Sequence, residues 1–470
     1  MCGIILTYDR SRINSISHRG LEFECFQGNG DFSRFDPRKL NIAHHRLPIQ
    51  TKDGDRWSQP FRYMPGRYFL FNGEIFNYDL LKFESDTEYL RDFFGRLKTV
   101  NLETLSQNWV KKEMSSWDGF WSIVHYDDNT GDIIALTDPL GKKQLYTNFL
   151  GEVCSEIAPL TIGPSLDSSY IASIHKWGYN HDDKTPFPEV KRLLPNNIYS
   201  WNTLNPKIVT TFKGYYDISP IETKRDSIKT IRRLLRESVE RRLISNYPIS
   251  FLLSGGLDST ILASILIELK ADVTWYTIEN GEDEYVKMCE DRWGIKVNRL
   301  KYSIDGNDDL PEIYCKWNET PVDLGSVVPQ YYLFKAIAET GHRVVLSGDG
   351  ADELFGGYKR INEFDSQGSD VFHELTYYHL PRLDRMSMAH TLELRSPFLG
   401  HEVVRFALGL PFELRKNKEI LKRAYRGDIP DEIIDRKKEA LKNDKIKKDP
   451  LKYRKKVLDL YQKSVENFLY

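Results

Sequence analysis

Ser254-Gly255-Gly256-Leu257-Asp258-Ser259-Thr260 follows the apolar run Ile249–Leu253 and leads directly into Ile261-Leu262-Ala263-Ser264-Ile265-Leu266. An apolar run, a glycine turn and a helical pattern read as a buried parallel strand, a tight turn and a helix. Such a turn suits a polyphosphate. Its glycines let backbone N–H groups approach an anion, and the helix N-terminus adds about half an elementary positive charge. Ser254, Ser259 and Thr260 offer hydroxyl donors, and Asp258 offers an oxygen ligand for a hard cation such as Mg²⁺. The string GxxxxGK[ST] does not occur, so this is not the lysine-bearing phosphate loop. Gly-Gly turns after strands are common; the whole string in a strand–turn–helix setting is what favours phosphate.

A second constellation sits at the start of the chain. Cys2 follows Met1 and opens Gly3-Ile4-Ile5-Leu6, a short strand pattern. With Met1 removed, Cys2 carries both a thiol and a free α-amine. A thiol of pKa about 8.5 is only slightly ionised at neutral pH and needs a base. An α-amine of pKa about 7.7–8 is partly neutral and lies within reach of its own side chain. One residue then supplies nucleophile and base.

A third string ends the strand pattern Arg343-Val344-Val345-Leu346: Ser347-Gly348-Asp349-Gly350-Ala351-Asp352-Glu353-Leu354-Phe355-Gly356-Gly357-Tyr358. Acids among glycines at a strand's C-terminal end face the crevice where α/β sheets bind ligands. Asp352 is the expected second Mg²⁺ ligand with Asp258. Asp349 and Glu353 stand ready to position an acceptor or bind metal.

The elements that position these residues are arranged in two halves. A chain of 470 residues is too long for one core. In the first half, Trp117–Val124 and Asp132–Asp138 are strand patterns joined by the turn residues Asp127-Asp128-Asn129-Thr130-Gly131. Polar, Pro-containing segments run from His181 to Asp217, and a boundary near 200–225 precedes the helical stretch Ser227–Leu243. In the second half Asp272–Ile278 is another buried strand pattern, and Glu282-Asp283-Glu284 opens a helix. A formal charge of −2 gives no footprint for nucleic acid. Five scattered cysteines without a CxxC suggest neither a disulfide framework nor a zinc site, and point to a reducing cytoplasm. No apolar run is long enough for a membrane span, and the first ten residues carry no signal-peptide pattern.

The Ser254 loop resembles the PP-loop of ATP pyrophosphatases, which adenylate a substrate and release pyrophosphate. The resemblance implies ATP as substrate, bound by Leu252, Ser254, Gly255, Gly256, Asp258, Ser259, Ser347 and Gly348. It implies adenine read by the backbone of Thr277 or Ile278, if that strand is not simply core. His18-Arg19-Gly20, His45-Arg46-Leu47, Phe71-Asn72-Gly73-Glu74 and Ser85-Asp86-Thr87-Glu88, in that order after Cys2, resemble the class II glutamine amidotransferases of the N-terminal-nucleophile (Ntn) type. This implies Cys2 as nucleophile on glutamine, with Asn72 and the Gly73 N–H as oxyanion hole. Arg46 would hold the glutamine carboxylate, and Glu74 (main chain or carboxylate) and Asp86 its ammonium. One departure is Leu21-Glu22 where the family reads Pro-Asp after His-Arg-Gly.

The string from Gly348 to Tyr358, with Arg385-Met386-Ser387-Met388 and Glu393-Leu394-Arg395-Ser396-Pro397-Phe398-Leu399, resembles the glutamine-hydrolysing asparagine synthetases over nearly the whole chain. Lys418-Glu419-Ile420-Leu421-Lys422 and Arg436-Lys437-Lys438-Glu439 match later segments. Lys438, or Lys437 in its place, is implied as the cation on the acyl-adenylate, unless both merely belong to the basic C-terminal face that runs on through Lys455-Lys456, and Asp349 is implied as a catalytic residue. Gly400 stands where an acid is usual and Leu441 where an aromatic is usual, both toward the acceptor end.

The expected fold is an N-terminal αββα sandwich over 2–210, followed by a PP-loop, Rossmann-like parallel-sheet domain with extra helices over 225–470. The expected activity is ammonia release from glutamine feeding a β-aspartyl-AMP made from aspartate, with ATP and Mg²⁺. The resemblance also implies a homodimer. The alternatives are amidation of another carboxylate by the same architecture, a non-catalytic ATP-binding homologue, and a glutaminase serving a partner.

Overall fold

Alternation along β1 (Gly3–Thr7) sends Ile4 and Leu6 to one face and Ile5 to the other, and this alternation builds the first half in layers. The computed structural model describes residues 2–27, 40–50, 57–78, 82–220, 226–279, 283–301, 309–358, 374–436 and 449–469. With β2 (Glu22–Gln27), β3 (Asn41–Arg46), β4 (Phe61–Met64), β5 (Arg67–Ile75), β6 (Gly119–Asp127), β7 (Asp132–Thr137), β8 (Tyr146–Asn148), β9 (Val153–Cys154), β10 (Val190–Arg192), β11 (Asn197–Asn202) and β12 (Asn205–Lys213), β1 forms two six-stranded sheets. Their orders are β10-β8-β9-β1-β3-β2 and β12-β11-β7-β6-β5-β4, and every pairing within them is antiparallel.

The sheets meet through Ile4, Leu6 and Ile42 on one side and Leu70, Val124, Ile133 and Ala135 on the other. On the outer face of the second sheet, Phe69 and Phe71 pack against Leu90, Phe93 and Phe94 of the helix Asp86–Leu97. Ser85 caps that helix by accepting the Glu88 N–H. On the outer face of the first sheet, Ile5, Ala43 and Cys154 join a core that includes Val327, Phe334 and Met386 of the second half.

The polar stretch His181–Asp217 is more ordered than its composition suggests. It supplies three strands, two of them at sheet edges, where polar residues face solvent without cost. Tyr215 and Tyr216 then return to the first-half core, where Tyr215 accepts the Trp121 indole N–H at 2.8 Å.

The second half is a parallel sheet of β13 (Ile249–Leu252), β14 (Val273–Ile278), β15 (Val297–Leu300), β16 (Val344–Leu346) and β17 (Glu393–Arg395), in the order β15-β14-β13-β16-β17. After β13 the chain winds outward to β14 and β15, then returns to place β16 on β13's other side. That reversal opens a crevice at the carboxyl ends of β13 and β16. The helix Leu257–Glu268 is apolar all round because it is covered on both sides; Ile261, Leu262 and Ile265 share a core with Leu234, Leu235 and Val239 of the helix Ser227–Arg241. Among the described residues no helix is long and apolar enough to cross a membrane.

Candidate active site

Cys2 is buried, and its backbone N–H donates to Asn72 Oδ1 at 3.0 Å. The same Asn72 has its Nδ2 buried with no hydrogen-bond partner among the described residues, a donor left for an oxyanion. Gly73 is irreplaceable at the next position. Its φ is +152°, and a Cβ there would lie 2.0 Å from the Phe120 carbonyl oxygen on β6. Burial pushes the Cys2 thiol up, opposed by the Leu47 N–H and the Arg46 guanidinium. His44, on the neighbouring strand, is driven by burial to about 3 and stays neutral, bonded to the Phe71 carbonyl oxygen at 3.1 Å.

The pairing of Gly3 with His45 carries Arg46 one step further along β3, beside Cys2. Arg46 is 8% exposed, and its Nη1 meets Glu22 Oε2 at 3.0 Å. Glu22 is thus the residue of the Leu21-Glu22 departure, and a ligand carboxylate would compete with it for Arg46.

Glu74 and Asp86 are both buried and face each other. Asp86 Oδ2 accepts the Ile75 N–H at 3.2 Å, and Gln50 Nε2 donates to Glu74 Oε2. Burial raises Asp86 to about 6, with Glu393 adding to the rise, while the N–H groups of Ile75 and Thr87 and the Glu74 carboxyl lower it. Glu74 is pushed well up by burial, then by Glu393 and Asp86. Two such carboxyls compete for one proton unless a cation lies between them. An α-ammonium meets that need. Glu393 and Arg395 come from β17, so one wall of this pocket belongs to the second half; the two residues pair at 2.6 Å and are fully buried.

In the second half the loop after β13 is closed by its own hydroxyls. Ser254 Oγ and Ser259 Oγ are 3.1 Å apart, the Ser254 N–H donates to Ser259 Oγ, and the Gly256 N–H donates to Ser254 Oγ. Gly255 has φ +67°, and a Cβ would come 2.8 Å from Tyr285 Cβ. Ser347-Gly348-Asp349 packs beside this loop. A Cβ on Gly348 would lie 3.2 Å from Asp258 Cβ, and Ser347 Oγ donates to Asp349 Oδ2 at 2.7 Å. Leu252 ends β13, and Thr277 is buried on β14 where Leu252 pairs with Tyr276. Glu353 is turned inward, accepting the Tyr358 hydroxyl at 3.0 Å with His379 Nε2 at 3.3 Å.

Asp258 and Asp352, the expected metal ligands, converge on one cation, the Lys418 ammonium, which is 2.6 Å from Asp258 Oδ2 and also pairs with Asp352. Burial alone would lower the Lys418 pKa, but the two carboxylates outweigh it and raise it. Two hard carboxylate oxygens brought onto one positive charge also suit Mg²⁺. Lys418 is the residue that sequence reading missed in this role, although it lies in a matched segment. Lys418 holds φ +61°, following Asn417 at +53°, an uncommon backbone that aims the chain into the crevice. Arg436 also reaches the loop: its Nη1 donates to the Gly255 carbonyl oxygen at 3.1 Å. Lys437, Lys438 and Leu441 lie outside the described residues.

Gly400 is a tightly packed position. It is the N-cap of the helix His401–Gly409, and a Cβ on it would lie 2.5 Å from Ser238 Oγ. A carboxylate from the first half meets the start of this helix. Asp118 accepts the His401 N–H at 3.1 Å and pairs with Arg242 at 2.9 Å, and Arg242 with other neighbours holds its carboxyl below the usual range despite burial.

Comparison with known proteins divides the chain in the same way. Residues 1–215 match the glutamine amidotransferase domain family, and residues 230–376 and 367–470 match the asparagine synthase family. The chain is 27% identical to a probable glutamine-hydrolyzing asparagine synthetase of Acanthamoeba polyphaga mimivirus, over 94% of this chain and 84% of the relative. It is 27% identical to the glutamine-hydrolyzing asparagine synthetase of Gallus gallus over the same shares. Identity to the Bacillus subtilis glutamine-hydrolyzing asparagine synthetase 1 is 24%, over 90% and 82%. On the breadth of these matches, the chain belongs to the asparagine synthase family, with a glutamine amidotransferase domain at its N-terminus.

Proposed function

We propose that this chain makes asparagine from aspartate, ATP and glutamine. The observation that carries the reading is the convergence of Asp258, Asp352 and Lys418 at the mouth of the Ser254–Ser259 loop. Family membership and the Asn72–Cys2 contact support it.

In the glutaminase half (2–210), Cys2 Sγ attacks the glutamine side-chain carbonyl, its proton passing to the α-amine once Met1 is gone. Asn72 Nδ2 and the Gly73 N–H stabilise the oxyanion; one such donor is worth about a hundred- to a thousand-fold in rate. Arg46 takes the substrate carboxylate, displacing Glu22, and Glu74 with Asp86 takes its ammonium. Collapse releases ammonia and leaves a thioester for water.

In the synthetase half (225–470), Leu252, Ser254, Gly255, Gly256, Ser259, Thr277, Ser347 and Gly348 hold ATP. Mg²⁺, held by Asp258 and Asp352, would screen the phosphate charges when bound. Attack by the aspartate β-carboxylate on the α-phosphorus expels pyrophosphate, with Asp349 positioning the acceptor and Lys418 and Lys438 offsetting negative charge. Ammonia then displaces AMP from the acyl-adenylate. Activation is needed because a carboxylate resists nucleophiles. Work in the cytoplasm, as a homodimer, completes the proposal.

The test is pyrophosphate release from ATP, Mg²⁺ and glutamine with aspartate or a panel of other carboxylates. Aspartate-dependent release with asparagine in equal amount is expected. Release with another acid alone would keep the architecture and overturn aspartate.

A further inference from the structure

The helix Leu380–Met388 sends Arg382 and Arg385, three positions apart, to the same side, where both are buried. They line a cavity of about 40 Å³ between the two halves, together with Arg192 and Lys184 of the first half. Arg192 is 7% exposed; its Nη2 donates to the Thr376 carbonyl oxygen at 2.9 Å, and its guanidinium lies over the Tyr377 ring at 5.3 Å. The Nε atoms of both Arg192 and Arg382 are buried without a hydrogen-bond partner among the described residues.

Charge in the cavity is unbalanced. Among the described residues no carboxylate lies within ion-pair distance of Arg192 or Arg382. Arg385 is 3.9 Å from Glu319, but that carboxyl is raised by burial to about 7 and already accepts the N–H groups of Ile157 and Ala158. The acid on the wall, Asp182, is half exposed and accepts from Asn180 Nδ2 at 2.6 Å and from the Lys184 N–H at 2.9 Å. Burial pushes Arg192 below its ordinary value. Unpaired buried cations are costly, and guanidinium forks with unspent donors match oxyanions in shape and charge. At 10–15 Å³ per water, 40 Å³ holds about three waters or one small oxyanion.

We propose that this cavity binds a small oxyanion, a carboxylate or an inorganic phosphate, clamped between Arg192 of the first half and Arg382 and Arg385 of the second. Nothing in the glutamine or nucleotide chemistry requires it. Bound there, the anion offsets part of the guanidinium charge and pins the helix Leu380–Met388 against the first half. The anion comes from solution.

Thermal unfolding of the full chain, without ATP or glutamine, tests the site at constant ionic strength with acetate, inorganic phosphate, aspartate, or a bulky organic sulfonate too large for the cavity. A rise in Tm with acetate or phosphate over the sulfonate that is diminished in Arg192→Gln assigns a solution anion to the cavity; a rise with aspartate alone reports the proposed acceptor site and overturns the cavity. Arg192→Gln should weaken the effect about ten-fold or more in apparent Kd. Lys184→Gln, at a partly exposed side chain, should weaken it about three-fold and carries the test alone if the first variant does not fold. No rise over the sulfonate with any of the three, or unchanged affinity in the folded variants, overturns the site. The readout needs no turnover, so its failure leaves the proposed reaction untouched.

Discussion

Arg19 Nη2 donates to Asp384 Oδ2 at 2.9 Å, joining residues 365 positions apart, with neither side chain more than 2% exposed. Arg19 Nε also donates to the Cys2 carbonyl oxygen at 3.3 Å, and Lys143 meets the other Asp384 oxygen at 2.6 Å. The nucleophile's backbone is therefore tied to the helix Leu380–Met388 through one buried carboxylate.

Asp384→Asn would strand the buried Lys143 and leave Arg19 with Glu156 as its remaining carboxylate, 3.1 Å away, and is expected to cost about 3 kcal/mol. In the parent, burial works against the Asp384 carboxylate, but Arg19 and Lys143 hold its pKa at about 2. A depressed carboxylate contributes stability above its unfolded value and loses it as pH falls toward 2. The parent's unfolding free energy should fall over pH 4 to 2 more steeply than the variant's. Denaturant melts across that window check this.

Asn72→Ala removes the unpartnered Nδ2. Glutamine hydrolysis should fall about a hundred- to a thousand-fold in kcat, with synthesis from ammonium salts retained. An equal loss of both activities would mean that Asn72 serves folding rather than the oxyanion.

Asp86 offers a test with two opposed readouts. Its folded pKa of about 6 lies above that of an ordinary aspartate, so the folded state holds the proton more tightly and stability falls as pH rises through that interval. Asp86→Asn should remove this dependence and stabilise the chain at pH 7 by of order 2 kcal/mol. It should also raise the KM for glutamine. In the parent, that KM should drop as pH rises through about 6, because Asp86 must ionise to receive the ammonium.

Lys418→Met leaves Asp258 and Asp352 facing each other without their shared cation. Pyrophosphate release should fall at least about a hundred-fold, about 3 kcal/mol in barrier. Glutamine hydrolysis at Cys2 should persist. Assaying both halves in one preparation separates this from misfolding.

The strand–turn–helix from Ile249 to Leu266 was legible because its signals are local: an apolar run, a glycine at positive φ and an apolar helix. The Cys2 neighbourhood was legible only as an ordered set of short strings, none specific alone. Lys418 escaped as a site residue because its role depends on an uncommon backbone turn and on distant partners, Asp258 lying 160 positions away. Asp118 escaped for a similar reason: it caps a helix 283 positions downstream, which no window of sequence reveals. Two of the three strands between His181 and Asp217, β10 and β12, were hidden by their edge positions, where half-exposed residues blur the alternation.

Strand β17 faces two ways. Its backbone holds the nucleotide side, with the Arg395 carbonyl oxygen accepting the Ser347 N–H at 3.0 Å, while its Glu393 carboxylate presses on Glu74 and Asp86. A glutaminase half cut free at residue 215 would therefore lose a wall and open its carboxylate pair to water. Asp86 in such a fragment would titrate closer to an ordinary aspartate. The boundary between the halves is a seam in sequence that the glutamine pocket crosses, drawing one wall from β17.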